Sequence, residues 1–307
     1  MTPPRPTGAL TGALLCIVSG AGFATLSILA KFAFSAGLSL PVMLGLRFSG
    51  AAGVLLLVLL LRRTRIWLGW PRIGMLLALG GIGYAGQSTL YFNGLQRAPA
   101  SLSSVLLYVY PAFVALLGWA VGGRRPNRST TAALALALGG VVLTAGGERS
   151  GLGRIDPLGA AFLMASAAWY AVYIVTSHRV VPQGGALVAT FWIATGAGVS
   201  FLTAAAIGAE FRAPIGLTEL GLVAAMALFS TVLPLTTFLA GMARVGPTAA
   251  ALLSTLEPVF TVGLAALFLG EILSLRQVVG AVLVLAAIVL LQVYELRGQT
   301  HREGLHE

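Results

Sequence analysis

Apolar residues in this chain come in long runs, not in the short alternations of a half-buried sheet. Runs near 9–30, 40–61, 72–92, 99–121, 129–147, 157–177, 185–207, 217–240, 247–269 and 274–294 each approach the ~20 residues a helix needs to cross a bilayer. Pro71, Pro157 and Pro247 fall in first helical turns, where a missing N–H leaves no bond unmade. Asp156 precedes Pro157 as an N-cap would. The expected fold class is an all-α polytopic membrane protein of ten transmembrane helices.

The polar positions inside these runs are as informative as the apolar ones. At bilayer depth a polar side chain must face protein or a water-filled cavity. The third run carries Tyr84, Gln87, Ser88 and Tyr91 at helical spacing, and the sixth carries Ser166, Tyr170, Tyr173 and Ser177 with Trp169 adjacent. The first offers Ser19, Phe23 and Ser27, the fourth Ser104, Tyr108 and Pro111, the eighth Ser230, Pro234 and Thr237, and the ninth Ser254, Glu257, Pro258 and Thr261. The cores of the fifth and tenth runs, "AALALALGGVVL" and "VVGAVLVLAAIVLL", carry no polar side chain. Spans 1, 3, 4, 6, 8 and 9 should therefore line a path. Spans 5 and 10 should lie outside, against lipid or a second copy in a homodimer. A lone Ser or Thr has another use, since it can bond its own helix or serve close packing. Tyr and Trp in mid-span are stronger candidates, because each has a polar tip that needs a partner.

Shifted by 147 residues, the chain matches itself: Ser19 falls on Ser166, Phe23 on Tyr170, Gly94 on Gly241, Arg97 on Arg244, Pro111 on Pro258 and Gly123 on Gly270. Each half then holds five spans. Five is odd, so the second half should enter the membrane upside down. Inverted repeats are a signature of secondary transporters, whose site lies near the midplane between the halves. The segments "LLYVYPAFVALLGWAVGG" and "LLSTLEPVFTVGLAALFLGE" resemble the two copies of the EamA domain of the drug/metabolite transporter superfamily. The resemblance covers 8–146 and 157–294, with 295–307 left as a cytoplasmic tail. The first copy departs from the pattern, with Arg124 after Gly123 where the family often has Glu. Membership implies a ten-helix permease with a central cavity, often an exporter of amino acids or other small metabolites. It names no substrate.

Composition narrows the function classes. The chain is 58% hydrophobic and 9% charged, against about 25% charged in a soluble domain. One Cys (Cys16), one Asp (Asp156) and three His, two of them in the tail, leave nothing for a disulfide framework or a metal site. No cofactor is expected. The sequences G-x-S-x-G, H-E-x-x-H and G-x-x-x-x-G-K-[ST] are absent, which argues against an intramembrane enzyme and against nucleotide-driven transport. The net charge of +10 suggests nucleic acid only until the basic residues are located, for they punctuate the apolar runs instead of covering one face. Assigned to alternating sides, twelve fall on one and six on the other. The richer side should be cytoplasmic, so both termini face inward and the protein belongs in the bacterial cytoplasmic membrane. The first run is long for a signal peptide and lacks a convincing cleavage site, so it should remain as a helix.

Glu257 is the central candidate. In a helix starting near Pro247 it lies about 15 Å deep, near the midplane, where a charge costs at least a few kcal/mol unless paired, hydrated or neutralised. Pro258 lacks an N–H, so the Ser254 carbonyl loses its helical partner. Pro111 does the same for Leu107 and Pro234 for Ser230. Glu257 could bind an amine-bearing substrate, carry a proton or bond a neighbouring helix. Tyr110 holds the matching position in the first half. The expected cavity set is Glu257, Tyr110, Gln87, Tyr91, Tyr84, Trp169, Tyr170, Tyr173 and Ser254, with Pro111, Pro234 and Pro258 as kinks. Arg47, about 10 Å into the second span, could snorkel to the surface, hold an anion or pair with an acid, and snorkelling or structural pairing is favoured over anion binding. Lys31 and His178 read as interfacial anchors. The expected function is alternating-access transport of a small organic metabolite, with proton coupling through Glu257. The alternative is a passive facilitator or channel.

Overall fold

The structure, a computed structural model, describes residues 6–110, 112–114, 116–117, 132, 135–136, 139–140, 143, 156–180, 186–211, 214–245, 250, 253–254 and 256–303. Pro111, the Gly123–Arg124 pair, Pro247 and most of the expected fifth span lie outside the described residues, as does the end of the tail. Every regular element among the described residues is helical. Helix α1 (Pro6–Ser35) and α2 (Leu40–Leu61) are followed by α3 (Trp70–Ala78), a π-helical segment (Leu79–Tyr84) and α4 (Ala85–Arg97), joined end to end, and by α5 (Ala100–Leu107). The second half supplies α6 (Pro157–Val180), α7 (Ala186–Ile207) and α8 (Leu217–Ala227). It continues with a second π-helical segment (Leu228–Val232), α9 (Leu233–Val245), α10 (Glu257–Leu269) and α11 (Leu275–Glu303).

Among the described residues five helices are long and apolar enough to span a membrane: Leu10–Ser35, Leu40–Leu61, Pro157–Ser177, Ala186–Ile207 and Leu217–Val245. Ala100–Val114, Glu257–Leu269 and Leu275–Ala287 are shorter apolar stretches. The rod of residues 70–97 is not among the five, since its second part carries Gln87, Ser88, Asn93 and Gln96. Asp156 caps α6 as expected, its Oδ1 accepting the N–H of Leu158 at 3.1 Å.

The two halves pack on each other through equivalent contacts. Helix α1 lies on α9 and, correspondingly, α6 lies on α4, while α2 crosses α7. A Cβ on Gly12 would meet the Gly241 carbonyl at 3.2 Å and the Arg244 Cβ at 2.7 Å. Moving every number by 147 gives the other crossing, where Gly94 meets the Gly159 carbonyl at 3.1 Å and Gly159 meets the Arg97 Cβ at 2.8 Å. Hydrogen bonds repeat too. Ser19 Oγ donates to the Pro234 carbonyl at 2.7 Å, and its counterpart Ser166 Oγ donates to the Gln87 carbonyl at 3.2 Å. At the α2–α7 crossing Gly45 faces Leu202 and Gly198 faces Ser49. Residue numbers rise on one helix as they fall on the other, so these two equivalent helices run antiparallel. Small residues let backbones approach this closely where no hydrophobic effect drives helices together.

The regular helical bonding of the fourth and ninth runs is interrupted by one tight turn in each. Helix α5 ends at Leu107, and Val109 N–H turns back to the Leu106 carbonyl at 3.2 Å. In the ninth run Leu256 N–H makes the equivalent bond to Leu253 at 3.2 Å, and α10 begins afresh at Glu257. Pro258 at the start of α10 has no N–H to continue the preceding turn. A carboxylate in a first helical turn is also favoured by the helix dipole.

Candidate functional site

A cavity of about 340 Å³ lies where the two halves meet. Its walls are repeat-related pairs: Phe23 with Tyr170, Ser88 with Leu235, Tyr91 with Phe238, Leu107 with Ser254, and Tyr110 with Glu257. Helices α1, α4, α5, α6 and α9 and the broken ninth run all contribute, and the second span adds Arg47. Its size lies within the usual range for small-molecule sites, about 300–1,000 Å³.

Glu257 stands at the break. Its Oε2 is 2.8 Å from the Tyr108 hydroxyl, which is also 2.9 Å from the Ser254 carbonyl. That carbonyl is the one Pro258 leaves without a helical partner, so a side chain from the first half fills the place of a backbone N–H from the second. A tyrosine hydroxyl carries a single proton. When it donates to Ser254, the short contact with Glu257 becomes a hydrogen bond only if the carboxyl donates.

Arg47 does not snorkel. Its side chain is 2% exposed and lines the same cavity as Glu257. Its Nε donates to Thr231 Oγ1 at 3.1 Å, and the guanidinium lies 4.8 Å from the centre of the Phe48 ring. The second π-helical segment presents Thr231 to it. Among the described residues the sole ion pair is Arg97 with Asp156, so Arg47 and Glu257 are not paired. A guanidinium and a carboxyl group therefore front one cavity.

Aromatic contacts connect them. Tyr108 meets Tyr110 at 6.1 Å between ring centres, Tyr110 meets Tyr170 at 4.8 Å, and Tyr170 stacks on Tyr173 at 5.9 Å. Tyr173 meets Tyr84 at 5.5 Å, and Tyr84 meets Phe48 at 5.3 Å. This arc runs from the carboxylate side to the guanidinium side. Tyr91 closes the opposite wall, its hydroxyl 2.7 Å from Ser27 Oγ.

Of the expected set, Glu257, Tyr110, Gln87, Tyr91, Tyr84, Tyr170 and Ser254 are brought together at the cavity. Tyr173 is absent from the lining and stands behind it, against Tyr84 and Tyr170. Trp169 is also off the wall. One residue further round α6, it is 41% exposed, and its Nε1 donates to the Gly83 carbonyl in the first π-helical segment at 2.8 Å. Pro234 follows the second π-helical segment and accepts from Ser19 through its carbonyl. Pro258 starts α10, and Pro111 lies outside the described residues. Tyr108 was missing from the expected set although it sits on the polar stripe of the fourth run. Its partner is 149 residues away, beyond the reach of local spacing. No group of three potential metal-ligating side chains occurs among the described residues.

Known proteins resemble the chain along most of its length. The sequence profile of the EamA-like transporter family matches residues 10–146 and again 157–293. The uncharacterized transporter YcbK of Bacillus subtilis is 30% identical over 281 residues, covering 89% of each chain. The threonine/homoserine exporter RhtA of Salmonella typhimurium is 28% identical over 215 residues, 69% of this chain and 67% of that one. One solved crystal structure superposes with a TM-score of 0.62 at 22% identity, covering 95% of this chain and 99% of that one.

Proposed function

Because the chain belongs to the EamA-like transporter family, and so is a multi-pass membrane transporter and not an enzyme, we propose that it exports a small amino acid or a similar zwitterion by alternating access. The observation that carries this reading is the shared cavity of Arg47 and Glu257, a guanidinium and a carboxyl group not bonded to each other. A buried guanidinium without a counter-ion costs several kcal/mol, and a substrate carboxylate offsets that cost while its ammonium finds an acceptor in Glu257. Its carboxylate meets Arg47, its ammonium meets Glu257, and its body lies against the tyrosine arc. The similar protein RhtA is a threonine/homoserine exporter, which agrees with this chemistry.

The same reading takes the chain as ten spans in two inverted repeats, 8–146 and 157–294, with 295–307 as a cytoplasmic tail. The antiparallel crossing of the equivalent helices α2 and α7 supports the inversion, and the two broken runs support a site at the repeat interface. The excess of arginine on one side supports cytoplasmic termini in a bacterial inner membrane. Exposed Val278, Val279 and Val282 on α11 fit a lipid-facing or dimer-facing tenth span.

Hydrogen counting at Tyr108 supports proton coupling. Without substrate, a protonated Glu257 donates to the Tyr108 oxygen, and Tyr108 donates to Ser254. With substrate, the ionised carboxylate receives an ammonium group. Proton and amine thus compete for one carboxyl, as antiport requires.

Counterflow in proteoliposomes tests the reading. Saturable, trans-stimulated flux of an amino acid is expected, with amines lacking a carboxylate poorly carried. Glu257→Gln should abolish uptake driven by a pH gradient. Non-saturable flux without trans-stimulation would favour a channel, and acid-driven accumulation retained in Glu257→Gln would overturn the coupling.

A further inference from the structure

The turn joining α4 to α5, residues 97–101, is held from three directions. Glu271, just beyond α10, is 6% exposed. Its Oε1 accepts the Ala100 N–H at 2.7 Å, and its Oε2 accepts both the N–H of Ser101 at 3.0 Å and the Ser101 hydroxyl at 2.5 Å. This carboxylate caps α5 from 170 residues away, and charge-assisted bonds of this kind are the strong ones. Lys31, near the end of α1, donates to the Ala98 carbonyl at 2.8 Å. Arg97 donates to Asp156, at the start of α6, at 3.1 Å. One turn is thereby tied to α1, α6 and the end of α10.

The repeat supplies an internal control. Moved by 147, residues 97–101 correspond in sequence to 244–248, of which 246–248 lie outside the described residues, and the positions equivalent to Glu271, Lys31 and Asp156 hold Arg124, His178 and Ala9. Arginine cannot accept an N–H bond, and alanine cannot pair with Arg244. Arg244 instead donates to the Ala240 carbonyl of its own helix at 2.6 Å. Helix α4 buries Ala85, Gln87, Ser88, Tyr91, Phe92, Gly94 and Leu95, whereas its equivalent α9 buries only Pro234 and Gly241.

We propose that Glu271, with Lys31 and Asp156, forms a latch that seals the outer end of the transporter at rest, leaving the inner end as the one that opens first. Alternating access needs both ends to open in turn. Bonds that must break on opening add to its cost, so the latch biases the population toward the inward-open form. Substrate leaving the cytoplasm then finds its site accessible before the cycle begins. This rests on the permease reading and orientation given above, but its test needs no substrate.

The test removes the native thiol with Cys16→Ala, places a reporter in the cavity wall with Ser27→Cys, and follows labelling by a membrane-impermeant maleimide. Reagent is applied to right-side-out and to inside-out vesicles. Glu271→Gln keeps one acceptor oxygen but loses the charge. It is expected to speed labelling from the outer face about tenfold, the change that follows from losing one hydrogen bond to a charged group. Ser101→Ala and Lys31→Gln each remove one arm of the latch and should give smaller rises of the same sign, so the proposal does not depend on Glu271→Gln folding. Labelling from the outer face that is unchanged in all variants melting near the parent temperature would overturn the latch. A rise seen only in inside-out vesicles would keep the latch and overturn the orientation. Failure of amino-acid counterflow with the labelling result intact would overturn the substrate class alone.

Discussion

Tyr108 links the proline break to the carboxylate, so it is the residue at which removal of a single atom is most informative. Tyr108→Phe leaves the Ser254 carbonyl without its 2.9 Å partner and Glu257 without its 2.8 Å neighbour. Leaving such groups unsatisfied costs about 1–3 kcal/mol each. The variant should melt lower and lose pH-driven transport, as followed by thermal unfolding and proteoliposome uptake. Arg47 and Glu257 pose a different question. A buried ion pair would make each single neutralisation worse than both together. Since the two share a cavity and not a bond, the expression losses of Arg47→Ala and Glu257→Ala should add in the double variant. Strong rescue in the double would reinstate the pair.

At the scale of the helices, close backbone approach decides which glycines matter. A Cβ on Gly80 would run into the Ile193 carbonyl, and one on Gly196 into the Leu77 carbonyl, whereas Gly53 has nothing near it. Gly80→Ala and Gly196→Ala should each destabilise by about 1–3 kcal/mol, as overpacking does. Gly53→Ala should be neutral or slightly stabilising, given the ~1 kcal/mol helix preference of Ala over Gly. Melting temperatures of the three variants separate these outcomes. Pro258→Ala restores an N–H that can compete with Tyr108 for the Ser254 carbonyl. Transport should fall while stability holds or rises, and a fall in both would assign Pro258 a packing role.

For the molecule as a whole, the consequence to check is sidedness. In a Cys16→Ala background, Arg65→Cys should react with an impermeant maleimide only from the cytoplasmic face and Glu210→Cys only from the outer face. Trp67 and Trp70, exposed and edge-to-face at 4.8 Å beside the first arginine cluster, mark the cytoplasmic interface in this arrangement. Labelling of both cysteines from one side would remove the orientation.

Much of this was legible in residue order. The membrane class, the repeat of 147 and the polar stripes are local or periodic properties. A helix must turn its polar stripe away from lipid wherever it lies, so the stripes pointed to the cavity before any helix was placed. Pro258 likewise announced a freed carbonyl at Ser254, because a missing N–H is a covalent fact. Tertiary structure alone decided what meets that carbonyl. It put Arg47 inside the cavity instead of at the surface, turned Trp169 outward, and set Glu271 on the first turn of α5. Each of these depends on which helix from the other half comes to lie alongside, through contacts more than 80 residues apart in the chain. Spacing along one helix fixes the direction in which a side chain points, and only the packing of the two halves supplies what it points at.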